Sequence, residues 1–351
     1  MTATYRPSRA RAVAALAVVA VLALGACSGD PAPTATPDTT ADKGAPPSPE
    51  IPPAWPLTGV PSDEVAARPA LAVKIENAPQ ARPQTGLEDA DMVWEEVVEG
   101  GITRFIAVYH SRIPKVVEPV RSVRPMDPDV VAPLGGILAY SGGQTPFIKD
   151  VEESGTQSVI MDRGDAGFSR DPNRAAPHNV VGDTQAFLDQ ADDDRTSPPP
   201  AQLRYADAAG EGTASADGSP AATVDVKLSP AQRSVWDWSG KQKQWLRSEG
   251  SQEAVSTAGK RLAATNVLLL SVDVVDTKYK DPAGNPVPKT ELVGKGKGVL
   301  ATGGKTVPVQ WSKKDQKSPV ELTRDGEPVE LDPGNTWIEL VPKDGGSWDL
   351  S

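Results

Sequence analysis

One cysteine, Cys27, and two histidines, His110 and His178, are all that 351 residues hold of the side chains that cross-link chains or grip transition metals. A disulfide framework and a cysteine-based zinc site are therefore excluded. Two imidazoles also fall short of the usual three-ligand catalytic zinc site unless a carboxylate joins them. No metal and no cofactor is expected. Neither a P-loop nor a dinucleotide fingerprint occurs, and "GKGKG" (residues 294–298) lacks the strand-to-helix context of such motifs and reads as a β-turn region. "DRGDAGFSRD" (residues 162–171) holds carboxylates without the spacing of a calcium loop. Positive charge is also short: 36 Lys and Arg face 47 Asp and Glu, for a net charge of -11. A nucleic-acid partner needs a basic face and is not expected.

What is present begins at the N-terminus. Arg6, Arg9 and Arg11 precede an apolar run of thirteen residues, 12–24, which is too short to span a bilayer comfortably and fits a secretory leader. "LGAC" (residues 24–27) places a small pair before the lone cysteine and resembles a bacterial lipobox. That resemblance implies cleavage before Cys27, acylation of its sulfur, and anchoring at the extracytoplasmic face of the membrane. Loss of residues 1–26 removes three arginines and no acid, which takes the net charge from -11 to -14. The following stretch, 27–56, is rich in Pro, Thr and Ala and cannot bury enough apolar surface to fold. It reads as a tether that lifts the body off the bilayer.

Beyond the tether the pattern is an α+β mixture: a mixed α/β N-terminal domain (57–191), a polar linker (192–222) and a smaller, mainly β C-terminal domain (223–345). Residues 68–77 alternate Leu71, Val73 and Ile75 against Ala72, Lys74 and Glu76, as in a strand. Residues 91–110 read as two strands around Gly100-Gly101, a pair that permits the positive φ of a tight turn. Residues 135–143 suggest a short buried strand. Helix signals mark 145–155, with Thr145 as cap and Pro146 at the first position, and 182–194, with Asp183 or Thr184 as cap. The C-terminal region carries strands at 223–229 and 265–277, a Trp-rich hairpin at 234–248 and a hairpin at Asp325-Gly326. Six of the eight tryptophans lie from Trp236 onward. A small β core using indoles for bulk accounts for them; carbohydrate stacking is the other use.

Several landmarks stand in order: "PLTG" at Pro56, "ARPQTGLEDADMVWE" at Ala81, "VEGGITRF" at Val98, "PVRSVRP" at Pro119, "YSGG" at Tyr140 and "APHN" at Ala176, then "TNVLLL" and "PGNTWIELVP" in the C-terminal region. This pattern resembles the YerB-like bacterial lipoproteins, a bipartite domain of unknown function. The resemblance covers nearly all of residues 56–342 and implies a surface lipoprotein with an N-terminal and a smaller C-terminal domain. It supplies no activity.

Within that pattern, Arg121 and Arg124 stand three apart between Pro119 and Pro125. In a polyproline-II segment, with about three residues per turn, they share a face. Two guanidiniums on one face form a fork suited to phosphate, sulfate or carboxylate. Arg104 past the Gly100-Gly101 turn, Glu99, Ser141 in "YSGG", and His178 and Asn179 in "APHN" are the residues that could converge on it. The competing reading pairs each arginine with a carboxylate such as Glu95, Glu96 or Glu99. A Ser141–His178–Asp triad lacks the G-x-S-x-G context. The expectation is thus a membrane-anchored binding or scaffold protein of unassigned activity, with an arginine-lined anion site for an envelope ligand or an envelope-assembly protein. The alternative is an enzyme acting on an envelope pyrophosphate or glycopolymer, since the order of arginine segments loosely resembles the pyrophosphate pockets of LytR-type transferases.

Overall fold

The computed structural model describes residues 53–351; the leader, Cys27 and residues 27–52 of the tether lie outside them. Strands dominate, with few and short helices. The strands of the N-terminal stretch are β1 (Leu71–Glu76), β2 (Met92–Val97), β3 (Thr103–Tyr109), β4 (Ile137–Tyr140), β5 (Gln157–Ile160), β6 (Phe168–Arg170) and β7 (Val180–Asp183). The C-terminal stretch adds β8 (Thr223–Ser229), β9 (Gln232–Ser239), β10 (Gln244–Glu249), β11 (Asn266–Lys280), β12 (Pro286–Glu291), β13 (Gly294–Thr302), β14 (Lys305–Lys313), β15 (Glu321–Arg324), β16 (Thr336–Pro342) and β17 (Ser347–Leu350). The helices are α1 (Asp127–Val131), α2 (Thr145–Glu153), α3 (Thr184–Leu188) and α4 (Thr213–Asp217).

One sheet runs through both stretches in the order β15-β14-β13-β11-β16-β2-β3-β1-β4-β5. The joint is the parallel pairing of β2 with β16, Val93 opposite Trp337 and Trp94 opposite Ile338. The polar segment 192–222 therefore does not separate one sheet from another. It carries α4, and Tyr205 within it donates to Leu57 O at 2.5 Å. Both faces of the central strands β1, β2 and β3 are buried, so β1 lacks the solvent face that its alternation suggested. One face packs Met92, Trp94, Ile106, Leu268 and Ile338 against Val130, Phe147 and Val151 of α1 and α2. The other packs Val93, Phe105, Leu269 and Trp337 against a second sheet, ordered β10-β9-β8-β17, through Val224, Val226, Trp236 and Trp245.

The balance thus shifts from an α+β mixture toward a mostly β protein. Residues read as helix at 145–155 and 182–194 yield only nine- and five-residue helices. Gln144, not Thr145, takes the N-cap position of α2, and Asp183 caps α3 by accepting from Gln185 N and Ala186 N at 3.1 Å. "GKGKG" is not a turn but the start of β13, paired with β14 from Gly294 to Thr302. Glycine there is forced by crowding: a Cβ on Gly298 would collide with Leu269 O. Four of the late tryptophans, Trp236, Trp245, Trp311 and Trp337, are buried bulk, while Trp238 and Trp348 are only partly buried. No helix among the described residues is long and apolar enough to cross a membrane.

Candidate functional site

The carboxyl ends of β1, β2, β4 and β5 lie together with the amino end of β3, because β1, β4 and β5 are parallel and β3 runs against β1 and β2. In open parallel α/β sheets ligands are held at the carboxyl ends of the strands, and β1, β4 and β5 form such a parallel set here. Charged side chains accumulate there on one face. Arg104 of β3 stands opposite Glu76 of β1 and Glu96 of β2.

The segment 119–124 is wedged where β1 and β4 diverge. Glu76 N donates to Pro119 O (3.0 Å), Arg121 N to Lys74 O (2.8 Å), Ser141 N to Arg121 O (3.0 Å) and Val123 N to Gly142 O (3.0 Å). This backbone pairing, not a free polyproline turn, presents Arg121 and Arg124 at the strand ends. Asp127 at the head of α1 fixes the turn by accepting from Arg124 N at 2.8 Å. A Cβ on Gly142 would collide with Asp162 Oδ2, so the "YSGG" glycine serves a close approach.

Three of the expected residues form the centre. Arg104 is 4 % exposed, donates Nη1 to Ser122 O at 2.6 Å, and keeps a buried Nε without a partner. Burial lowers its pKa, and the charges of Arg124 and Arg121 lower it further, to about 9; Glu99 and Glu76 pull the other way. Arg121 lies with Nε 3.2 Å from Glu76 Oε1, at an angle that leaves this Nε without a hydrogen bond. Arg124 Nε reaches both oxygens of Glu99, at 2.8 and 2.9 Å. His178 Nδ1 meets the second oxygen of Glu76 at 2.9 Å. Two arginines are therefore matched by carboxylates, as the competing reading expects, and Arg104 is not.

The remaining expected residues divide. Ser141 Oγ lies 3.3 Å from Ser122 Oγ, at the base of the cluster. His178 is engaged by Glu76, so no serine triad is assembled through its Nδ1. Asn179 does not join: its Oδ1 accepts from Arg170 at 2.8 Å and its Nδ2 donates to Asp171 O at 3.3 Å, which ties down its own loop.

Sequence reasoning missed the charged layer behind the arginines. Lys74, wholly buried, donates to Glu96 and, at 2.8 Å, to Asp127. Burial and the neighbouring Asp127 push the Glu96 carboxyl up to about 8, with Lys74 opposing. The only signal was charge at Lys74 and Glu76 inside a strand whose two faces both turn out to be covered. Among the described residues no group of three or more His, Cys, Asp or Glu is placed to hold a metal ion. Five surface cavities of about 150–550 Å³ are lined by residues outside the arginine cluster.

Comparison with known proteins places this geometry in a family. Residues 57–197 match the N-terminal domain of the protein of unknown function DUF3048, and residues 224–338 match its C-terminal domain. YerB of Bacillus subtilis (strain 168), whose name calls it a lipoprotein, is 28% identical over 300 residues, covering 82% of this chain and 86% of its own. The crystal structure of the YerB protein from Bacillus subtilis superposes with a TM-score of 0.72 at 24% identity, covering 84% of this chain and 99% of that one. On both halves, matched in order, the chain belongs to the YerB-like DUF3048 family.

Proposed function

We propose that the protein is a lipid-anchored extracytoplasmic lipoprotein that holds an oxyanion at the Arg104–Arg121–Arg124 cluster. The leader, the lipobox-like "LGAC" and the name of the Bacillus relative support the anchor. One observation carries the site: a buried guanidinium, Arg104, has two cationic neighbours, an orphaned Nε and no carboxylate of its own. A buried charge without a partner is costly. An anion completing the set would match the third positive charge. Arg121 Nη1 and Nη2, and Nη2 of Arg124, make no hydrogen bonds among the described residues and supply its donors. Phosphate-bearing ligands of the cell envelope fit this donor set, because guanidinium groups recognise phosphate by paired hydrogen bonds.

The test is thermal unfolding of the full-length chain in phosphate, pyrophosphate or sulfate against chloride at equal ionic strength. A ligand at a hundred times its Kd stabilises by about 2.7 kcal/mol, so a saturable rise in Tm is expected with pyrophosphate. Arg121→Gln/Arg124→Gln should lose most of it. An equal rise in both proteins would remove the arginines from the binding of anions.

A further inference from the structure

The largest of the five cavities, about 550 Å³, opens far from the arginines, at the rim of the space between the two sheets. Its floor is the outer portion of the long sheet. Lys297 of β13, Gln310 of β14 and Thr323 of β15 stand in one cross-strand row. Its wall is the indole of Trp348, on β17 at the edge of the second sheet, packed only partly against the core. Arg324 and Asp325 close the third side.

These side chains have little to do for the fold. Lys297 and Gln310 are exposed, and neither side chain makes a hydrogen bond or ion pair among the described residues. The Thr323 hydroxyl and the Trp348 indole nitrogen likewise have no partner there. Arg324 has only Asp325, at 3.9 Å, and that carboxylate is 93 % exposed. A flat aromatic wall with a floor of free amide, hydroxyl and cationic groups matches the needs of a sugar: a C–H face to stack, hydroxyls to bond, and charge for any acid it carries. Two cations against one carboxylate leave the cleft positive on a chain of net charge -11.

We infer that this cleft binds a glycan bearing carboxylate groups. Its sugar ring lies on Trp348, its carboxylate meets Lys297 and Arg324, and Gln310 and Thr323 take its hydroxyls. The site is independent of the anion site proposed above.

Calorimetric titration of the full-length chain with tetragalacturonate and with its methyl ester tests this. The acid should bind saturably, and the ester at least tenfold more weakly. Lys297→Gln/Arg324→Gln, both surface changes, should bring the acid down to the level of the ester, and Trp348→Ala should abolish binding of both. Arg121→Gln/Arg124→Gln should bind the acid as wild type does. No saturable binding of either glycan, unchanged binding in Lys297→Gln/Arg324→Gln, or loss of binding in Arg121→Gln/Arg124→Gln would each overturn the assignment.

Discussion

Replacing Arg247 by Met is the most direct probe of what joins the two halves of the chain. Arg247 on β10 is fully buried and donates Nη1 to Glu339 on β16 (2.8 Å), Nη2 to Glu95 on β2 (2.6 Å) and Nε to Glu249 (2.9 Å). Its guanidinium carbon lies 4.7 Å from the Trp337 ring centre, 5.2 Å from Trp236 and 5.4 Å from Phe105. Burial works against its charge, but Glu249, Glu95 and Glu339 outweigh that and raise its pKa. Burial, with Glu95 close by, raises Glu339 well above the usual carboxylate range against the pull of Arg247. Methionine fills much of the volume and leaves Glu95 and Glu339 without their cation, while Glu249 keeps Arg82 at 3.0 Å. Breaking a buried ion pair from one side costs about 3–5 kcal/mol. Near 2 °C per kcal/mol for a body of this size, that is a fall in Tm of roughly 6–10 °C. The sign with pH follows from the carboxylates. Glu339 already stands above its unfolded pKa, and without the guanidinium it rises further, so folding takes up a proton and the deficit shrinks as pH falls from 8 to 5. Thermal unfolding by circular dichroism at both pH values reads this. A Tm loss under about 2 °C, or the same loss at both pH values, would refute the account of Arg247 as the cation that compensates the interlayer joint.

Two further outcomes are expected. Glu96 has a folded pKa of about 8 against an ordinary 4.5, so the folded state holds a proton that the unfolded state releases between these values. Its contribution to stability is then full below pH 4.5 and declines as pH rises towards 8, and Glu96→Gln should flatten the fall in Tm across that window; an unchanged slope would place the proton elsewhere. Gly136→Ala puts a methyl group inside van der Waals contact of Ala70 O, where β1 begins, and should cost about 1–3 kcal/mol in urea unfolding, with a neutral result showing that this backbone can yield.

Much of the strand pattern was legible because it rests on local chemistry. The Gly100-Gly101 turn takes positive φ at both positions, and Asp325-Gly326 turns between β15 and the residues that follow with φ of 54 and 90. The pairing of β2 with β16 was not legible. It joins residues some 240 apart, and no short-range period reports on it. The same distance effect explains the charges. Lys74 and Glu76 looked like the wet face of a half-exposed strand, since alternation describes one covered face and says nothing of a second layer. "GKGKG" looked like a turn because glycine is depleted in strands; Gly296 and Gly298 are there for close approach to Ser271 O and Leu269 O of β11. At the candidate site, residue type was the signal. Arg104, Arg121 and Arg124 are gathered, and Glu99 and His178 pair within the group, but Asn179 was carried along only by standing beside His178.

If the arginine cluster holds an oxyanion as proposed, global charge is a poor guide to ligand sign here. A chain with 47 acids and 36 bases repels anions at long range, but beyond roughly 8–10 Å that repulsion is screened in physiological salt. Binding is decided by what the last few ångströms offer. Here β1 and β3 bring Glu76 opposite Arg104, and the wedge at 119–124 adds two more guanidiniums that take up Glu76 and Glu99. The surplus cation is the buried one, fixed on a central strand and unable to swing out to water. In the proposed reading, an incoming anion relieves it. An exposed arginine pair on a loop would have met solvent and carried no such demand.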